Sequence, residues 1–346
     1  GECAVHAGVQ AGGGAGLSTR AALRAGIVQA DDGGAARASH NAAMHTTPPP
    51  LRSASAHPGG VAVVTGASRG VGQGIAEALG AAGMTVYVTG RSTQEGQYRM
   101  GDAPLHGTIH SSAAAVTAAG GHGIALACDH ADDAQVAAAF ARIAQEQGRI
   151  DILVNNALAI DDSLIAPGPF WRKPLAQAEM LNVGLRSHYV ATYHAAPLLL
   201  AAGQQGAGAA LVAFTSSFGA GCYMHGPADG AQKAGCDKMA WDMGVDFEGT
   251  GVAALSLWLG VQRTERTALA ARQRSDAYGD FMAHSESPQF VGRVIHALWR
   301  DPELASRSGQ ILIVAELAAQ YGVRDEGGRE PPSLRRMLGE PRAFHP

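Results

Sequence analysis

A short apolar run, Val61-Ala62-Val63-Val64, leads straight into Thr65-Gly66-Ala67-Ser68-Arg69-Gly70-Val71-Gly72 and then into an Ala-rich stretch. No other feature of the 346-residue chain limits its fold as strongly. A strand that enters a glycine-rich turn and opens a helix needs backbone with positive φ, and it gathers amide N–H groups at a helix N-terminus, where a pyrophosphate can sit. A glycine triplet alone is a common structural turn. Here a β-branched and aromatic strand, Thr85 to Thr89, follows about twenty residues on, as in a dinucleotide-binding βαβ unit.

The alternation continues along the chain. Helical spacing covers Ile75 to Ala82, Asp133 to Gln147, Leu175 to Leu200 and Ala231 to Phe247. Strand-like runs cover Ile124 to Cys128, Ile150 to Val154, Ala209 to Phe214, Val252 to Leu257 and Gln310 to Val314. Strands alternating with helices predict an α/β protein: a Rossmann-type, doubly wound parallel sheet in three layers (α/β/α), as a single domain. The segment from Arg91 to Gly120 reads as a loop. Its histidines, His106 and His110, and the nearby His122 are not at helical ligand spacing, so no metal is expected.

Composition sets outer limits. The formal net charge is −4, with no basic bias toward nucleic acid, and the four cysteines (Cys3, Cys128, Cys222, Cys236) form no CxxC pair. They fit a reducing compartment better than a disulfide framework. The longest apolar candidate for a membrane span, Tyr189 to Ala202, contains His194 and Pro197 and reads as a buried helix. Residues 1–57 carry four arginines and no lysine, are dominated by Ala, Gly and Ser, and hold no hydrophobic period. They read either as a disordered extension or as an organelle transit peptide, which leaves a cytoplasmic or an organellar location open. The expected organisation is therefore this extension, a nucleotide-binding domain over 58–322, and a tail over 323–346.

The end of the second strand bears on cofactor choice. An NAD site places Asp or Glu there for the ribose 2′-OH. This chain has Gly90-Arg91-Ser92, and Arg69 stands in the glycine-rich turn. Two guanidinium groups suit a 2′-phosphate, so NADP is expected over NAD.

With TGASRGVG, Asn155-Asn156-Ala157 and a lysine at Lys233, the sequence resembles the short-chain dehydrogenase/reductase family over about Gly60 to Gly322. NVGLRSHY, SLW-x-G-x-x-x-TE and LAAQYGVRDEGGR point to one narrow subgroup of it. The resemblance implies a cofactor site of Gly66, Ser68, Arg69, Gly70, Val71, Gly72, Arg91, Asp129, Asn155, Ala157, Lys233, Gly260 and Thr264. It implies catalytic roles at Asn182, which would hold a relay water, at Ser216, and at Lys233, with Ser216 and Tyr223 on the substrate. The expected partners are a small carbonyl or alcohol, including lipophilic ketones, and further copies of the chain as a homodimer or homotetramer.

Two positions depart from the family pattern. Leu259-Gly260 stands where Pro-Gly is usual, which should loosen that turn. Asp229 stands thirteen residues after Ser216 and four before Lys233, where the family's proton-donating Tyr belongs. A carboxyl with an ordinary value near 3.9 beside Lys⁺ would be ionised, could not donate, and would compete for the lysine through a salt bridge. Three readings of Asp229 stand: a pseudoenzyme that binds NADP as a regulatory or scaffold subunit, a donor at Tyr223, or a single-base change from a Tyr codon.

Overall fold

In the computed structural model the described residues are 59–205 and 209–345, so the expected N-terminal extension lies outside them. Strand β1 (Val61–Val64) is buried at every position and pairs in parallel with β2 (Thr85–Gly90) on one side and β6 (Ile152–Asn155) on the other. Strands buried on both faces read as continuous apolar runs, which is why VAVV and ILVN carry no polar alternation. The full sheet has seven parallel strands in the order β5-β2-β1-β6-β7-β8-β9, with β5 at His122–Ala127, β7 at Ala210–Ser217, β8 at Val252–Leu259 and β9 at Ile311–Ile313. The strand order reverses between β1 and β6, as a doubly wound fold requires.

Helices cover both faces. One apolar cluster joins the sheet to α1 (Gly70–Ala81), α2 (Ile109–Ala118), α8 (Pro288–Trp299) and α9 (Val314–Tyr321), with Ile75, Leu79, Val116, Phe290 and Leu317 in it. The other joins it to α3 (Asp133–Gln147), α4 (Ser187–Gln204) and α5 (Pro227–Asp246), through Val136, Phe140, Leu199, Cys236 and Ala240. The expected three-layer α/β/α fold is the observed one.

Helix α3 ends where the sequence places it. The Asp132 carboxylate caps it by accepting from Ala134 N at 2.9 Å and Gln135 N at 3.2 Å, and Gly148 closes it in the left-handed region at φ 69°. Elsewhere the structure departs from expectation. The segment after Arg91 is not a loop: it holds a hairpin, β3 (Tyr98–Met100) with β4 (Ala103–Leu105), and then α2, capped by Thr108 and Ser111. Helix α5 starts four residues earlier than the hydrophobic pattern suggests, because Pro227 is preorganised for a first helical position. Asp229 therefore sits in the first turn of a helix.

The long helix expected over Leu175–Leu200 is broken. Gly184 adopts φ 144°, ψ −28°, and α4 begins only at Ser187. The kink turns the Gly184 carbonyl onto Gln232 Nε2, 2.6 Å away on α5. A Cβ at Gly184 would stand 2.5 Å from Leu158 Cδ1 and would be strained at that φ. Gly184→Ala is predicted to lower stability by about 1–3 kcal/mol, measured as a lower urea midpoint with an unchanged m-value.

Candidate active site

The carboxyl ends of β1, β2, β6, β7 and β8 open into one cavity of about 1220 Å³. That exceeds the ~300–1,000 Å³ of a pocket for a drug-sized molecule and leaves room for a dinucleotide with a second ligand. Its floor is the glycine-rich turn. Thr65 fixes this turn to β6: its hydroxyl donates to Val154 O at 3.2 Å and accepts from Asn156 N at 2.9 Å and Ala157 N at 3.0 Å. Asn156 Nδ2 donates back to Thr65 O at 2.9 Å and Gly66 O at 3.2 Å. The packing is close enough that a Cβ at Gly66 would meet Ala157 Cα at 2.6 Å, and one at Gly72 would meet Gly66 O at 2.7 Å. Helix α1 opens with Arg69 at its N-cap, which offers no side-chain acceptor to the first-turn amides. Gly70, Val71 and Gly72 line the cavity there, so the turn fits an anionic pyrophosphate.

The two arginines expected at the ribose behave differently. Arg69 is committed to the backbone, donating from Nη2 to Gly107 O at 2.7 Å and from Nε to His106 O at 3.1 Å, with its guanidinium over the Tyr98 ring. Arg91 is half exposed, with a long ion pair to Asp129 at 3.8 Å and its guanidinium 5.9 Å from the centre of the Tyr98 ring. Both line the cavity, as do Ser68 and Asp129. Asn155 does not: its side chain lies behind the sheet and donates to Thr192 Oγ1 at 2.9 Å. Asn182 also stays out of the lining, with its amide 3.3 Å from Glu179 Oε2.

Ser216, at the end of β7, donates to Lys233 O at 3.2 Å, and Lys233 Nζ donates to Thr215 O at 3.4 Å. The expected salt bridge between Asp229 and Lys233 is not formed. Asp229 Oδ2 instead lies 3.1 Å from His225 Nδ1, and His225 Nε2 lies 3.0 Å from the Tyr278 hydroxyl. Burial pushes the Asp229 carboxyl up, but the His225 bond and the nearby Lys233 ammonium outweigh it and hold the group below its ordinary range. Tyr223 lines the cavity and is 78% exposed.

Three further groups escape the sequence pattern. His188 Nε2 meets Ala157 O at 2.9 Å, and burial drives this imidazole down to about 3, so it is neutral and donates from that nitrogen. Tyr278 comes from helix α7 (Ser275–Met282), distant in sequence from every other cavity group except its neighbours. Glu286 is buried and ties the turn after β8: its Oε1 accepts from Gly260 N at 2.8 Å and Gln262 Nε2 at 2.6 Å. Leu259-Gly260 is thus clamped rather than loosened. Thr264, further along, caps α6 (Glu265–Gln273) by accepting from Thr267 N at 3.1 Å, and it lines the cavity.

A family model described as short chain dehydrogenase matches residues 60–275. Human dehydrogenase/reductase SDR family member 1 is 35% identical over 282 residues, covering 78% of this chain and 84% of that protein. The chain belongs to the short-chain dehydrogenase/reductase family. Two solved structures share the fold at lower identity. A short chain dehydrogenase from Mycobacterium thermoresistibile has a TM-score of 0.63 at 24% identity, covering 80% of this chain and 92% of its own. The 3-oxoacyl-[acyl-carrier protein] reductase of Brucella melitensis, in complex with NAD, has a TM-score of 0.61 at 23% identity, covering 74% and 95%. The family uses a nicotinamide dinucleotide, and the glycine turn, the uncapped helix and the size of the cavity fit one. Among the described residues no helix is long and apolar enough to cross a membrane.

The clamp on the turn yields a pH prediction. Burial raises Glu286 from 4.5 to about 7. Between these values the folded protein holds a proton that the unfolded chain has lost, so this residue makes stability fall as pH rises. Glu286→Gln cannot ionise. Relative to the wild type it should gain up to about 3 kcal/mol between pH 4 and pH 8, read from urea midpoints at the two pH values.

Proposed function

We propose that the protein is an NADP(H)-dependent reductase that converts a lipophilic ketone to an alcohol. The observation that carries this reading is the continuity of one cavity from the glycine turn, past Arg91, to Ser216 and Lys233. When bound, the dihydronicotinamide supplies a hydride to a carbonyl carbon. The turn at Gly66–Gly72 would hold the pyrophosphate, and Arg91, rather than the committed Arg69, would meet a 2′-phosphate. Lys233 would hold the nicotinamide ribose, and the Ser216 hydroxyl would orient the carbonyl. Leu158, Met180, Phe218, Met224, Phe281 and Leu338 line the same cavity as Ser216, and this apolar lining favours a lipophilic substrate.

A second reading has its own support. Asp229 is an ionised carboxylate at the position where the family's Tyr belongs, and alone it would leave a dinucleotide-binding subunit without a proton donor. Carbonyl-dependent oxidation of NADPH separates the two readings, since both require cofactor binding. Fluorescence titration should show NADPH binding at least about tenfold more tightly than NADH, a difference of ~1.4 kcal/mol. Arg91→Asp should reverse the order. Equal affinity of the wild type for both cofactors would remove Arg91 from the site.

A further inference from the structure

The cavity that holds Ser216 also carries a connected set of groups outside those expected to bind the cofactor. Asp229 Oδ2, the two ring nitrogens of His225 and the Tyr278 hydroxyl form a continuous chain, with contacts of 3.1 Å and 3.0 Å. All three residues line the cavity that also holds Ser216 and Lys233. The His225 and Tyr278 rings lie nearly parallel, 17° apart, with centroids 6.4 Å from each other. We propose that Tyr278 gives the substrate oxygen its proton and is resupplied through His225, which Asp229 orients. This inference rests on the reductase reading above.

The direction of the chain follows from donor and acceptor chemistry. An ionised carboxylate only accepts, so the Nδ1 facing Asp229 carries a hydrogen. In the imidazolium form Nε2 also carries one and donates to the Tyr278 oxygen, which leaves the phenol's own hydrogen free to point into the cavity. Reduction then balances. A hydride adds to the carbonyl carbon, the C=O π pair moves to oxygen, and that oxygen takes the Tyr278 proton. The phenol is restored by the proton leaving Nε2, the imidazole is left neutral, and Asp229 stays charged throughout. His225 is partly open to solvent, its side chain 28% exposed, so it regains its proton from water.

The surrounding charges bear on both groups. Burial pushes the Asp229 carboxyl up, and the His225 bond together with Lys233 on α5 opposes this and holds it down from its ordinary range. Cys222 and Tyr223 flank His225 from the preceding turn, and burial raises the Cys222 thiol, so it stays neutral. Burial also raises the Tyr278 phenol, with Arg274 lowering it and Asp229 raising it. The net rise keeps Tyr278 a neutral donor at physiological pH. Asp229 thus becomes the anchor of a donor built from a different helix.

The test uses the full chain and its Tyr278→Phe, His225→Gln, Asp229→Asn and Asp229→Tyr variants. NADPH affinity serves as the control for folding. With a panel of lipophilic ketones, the wild type should show carbonyl-dependent oxidation of NADPH. Tyr278→Phe should lose ~10²–10⁴-fold in kcat, and His225→Gln should lose most of the rate. A readout without cofactor is the proton NMR spectrum. A downfield ring N–H signal should be present in the wild type and in Tyr278→Phe, and absent from His225→Gln and Asp229→Asn. Wild-type turnover that Tyr278→Phe leaves unchanged overturns the relay and keeps the reductase. A wild type that binds NADPH without turnover, beside an active Asp229→Tyr, also overturns the relay alone. Absence of turnover in both forms overturns the reductase reading, and the relay with it.

Discussion

Between β1 and β6 the direction of winding reverses, and the crevice this leaves at the carboxyl ends of the strands constrains everything built around it. Two successive crossovers leave the sheet on opposite sides at that point, so no helix covers the gap. The Thr65 hydroxyl holds the two edges of the crevice together with three hydrogen bonds. Because that hydroxyl fixes the backbone of Asn156 and Ala157, it also sets the height of the β6 loop over the glycine turn. His188 supports the same loop from below through Ala157 O. A loop placed this tightly gives a ligand a preformed edge rather than one that must order on binding.

The polar side of the crevice depends on where one carboxylate finds its partner. Asp229 is almost fully buried, and a buried charge without a partner costs several kcal/mol. Lys233 is one helical turn away and would be the default partner. His225 takes that place instead, helped by Gly226 and Pro227, which end the preceding turn and start α5 so that both side chains face the same way. Gly219 leaves room for the carboxylate, since a Cβ there would stand 3.0 Å from Asp229 Oδ2. The consequence is a division of labour among charges. Lys233 rests on a backbone carbonyl at 3.4 Å, a weak contact that a ligand hydroxyl can replace.

The sheet, its order and the glycine turn were legible because they rest on local signals: apolar runs of strand length, helical spacing between them, and glycines where φ must be positive. Helix α3 could be bounded to the residue from Asp132 and Gly148 alone. The break at Gly184 was not legible, since a lone glycine in an apolar helical pattern is usually tolerated there. The β3–β4 hairpin was hidden by its short strands and by the many glycines around it. Glu286 and Tyr278 carry no motif; they reach the site through α8's capping turn and through α7, and only the folded chain brings them near β7 and β8. His225 carried no helical signal, because it lies before Gly226, the N-cap of α5, and meets Asp229 only through the turn that precedes the helix. The resemblance placed Asn155 and Asn182 at the site, but its motif letters do not report which way a side chain points.

The arrangement stands or falls on the partner of Asp229 when the cavity is full. A crystal structure of the protein with NADPH is the most direct measurement. The expected result has Asp229 still on His225 Nδ1 and Lys233 Nζ moved from Thr215 O to the nicotinamide ribose. An Asp229 carboxylate bonded to Lys233 Nζ, with the ribose left without the lysine, would contradict it.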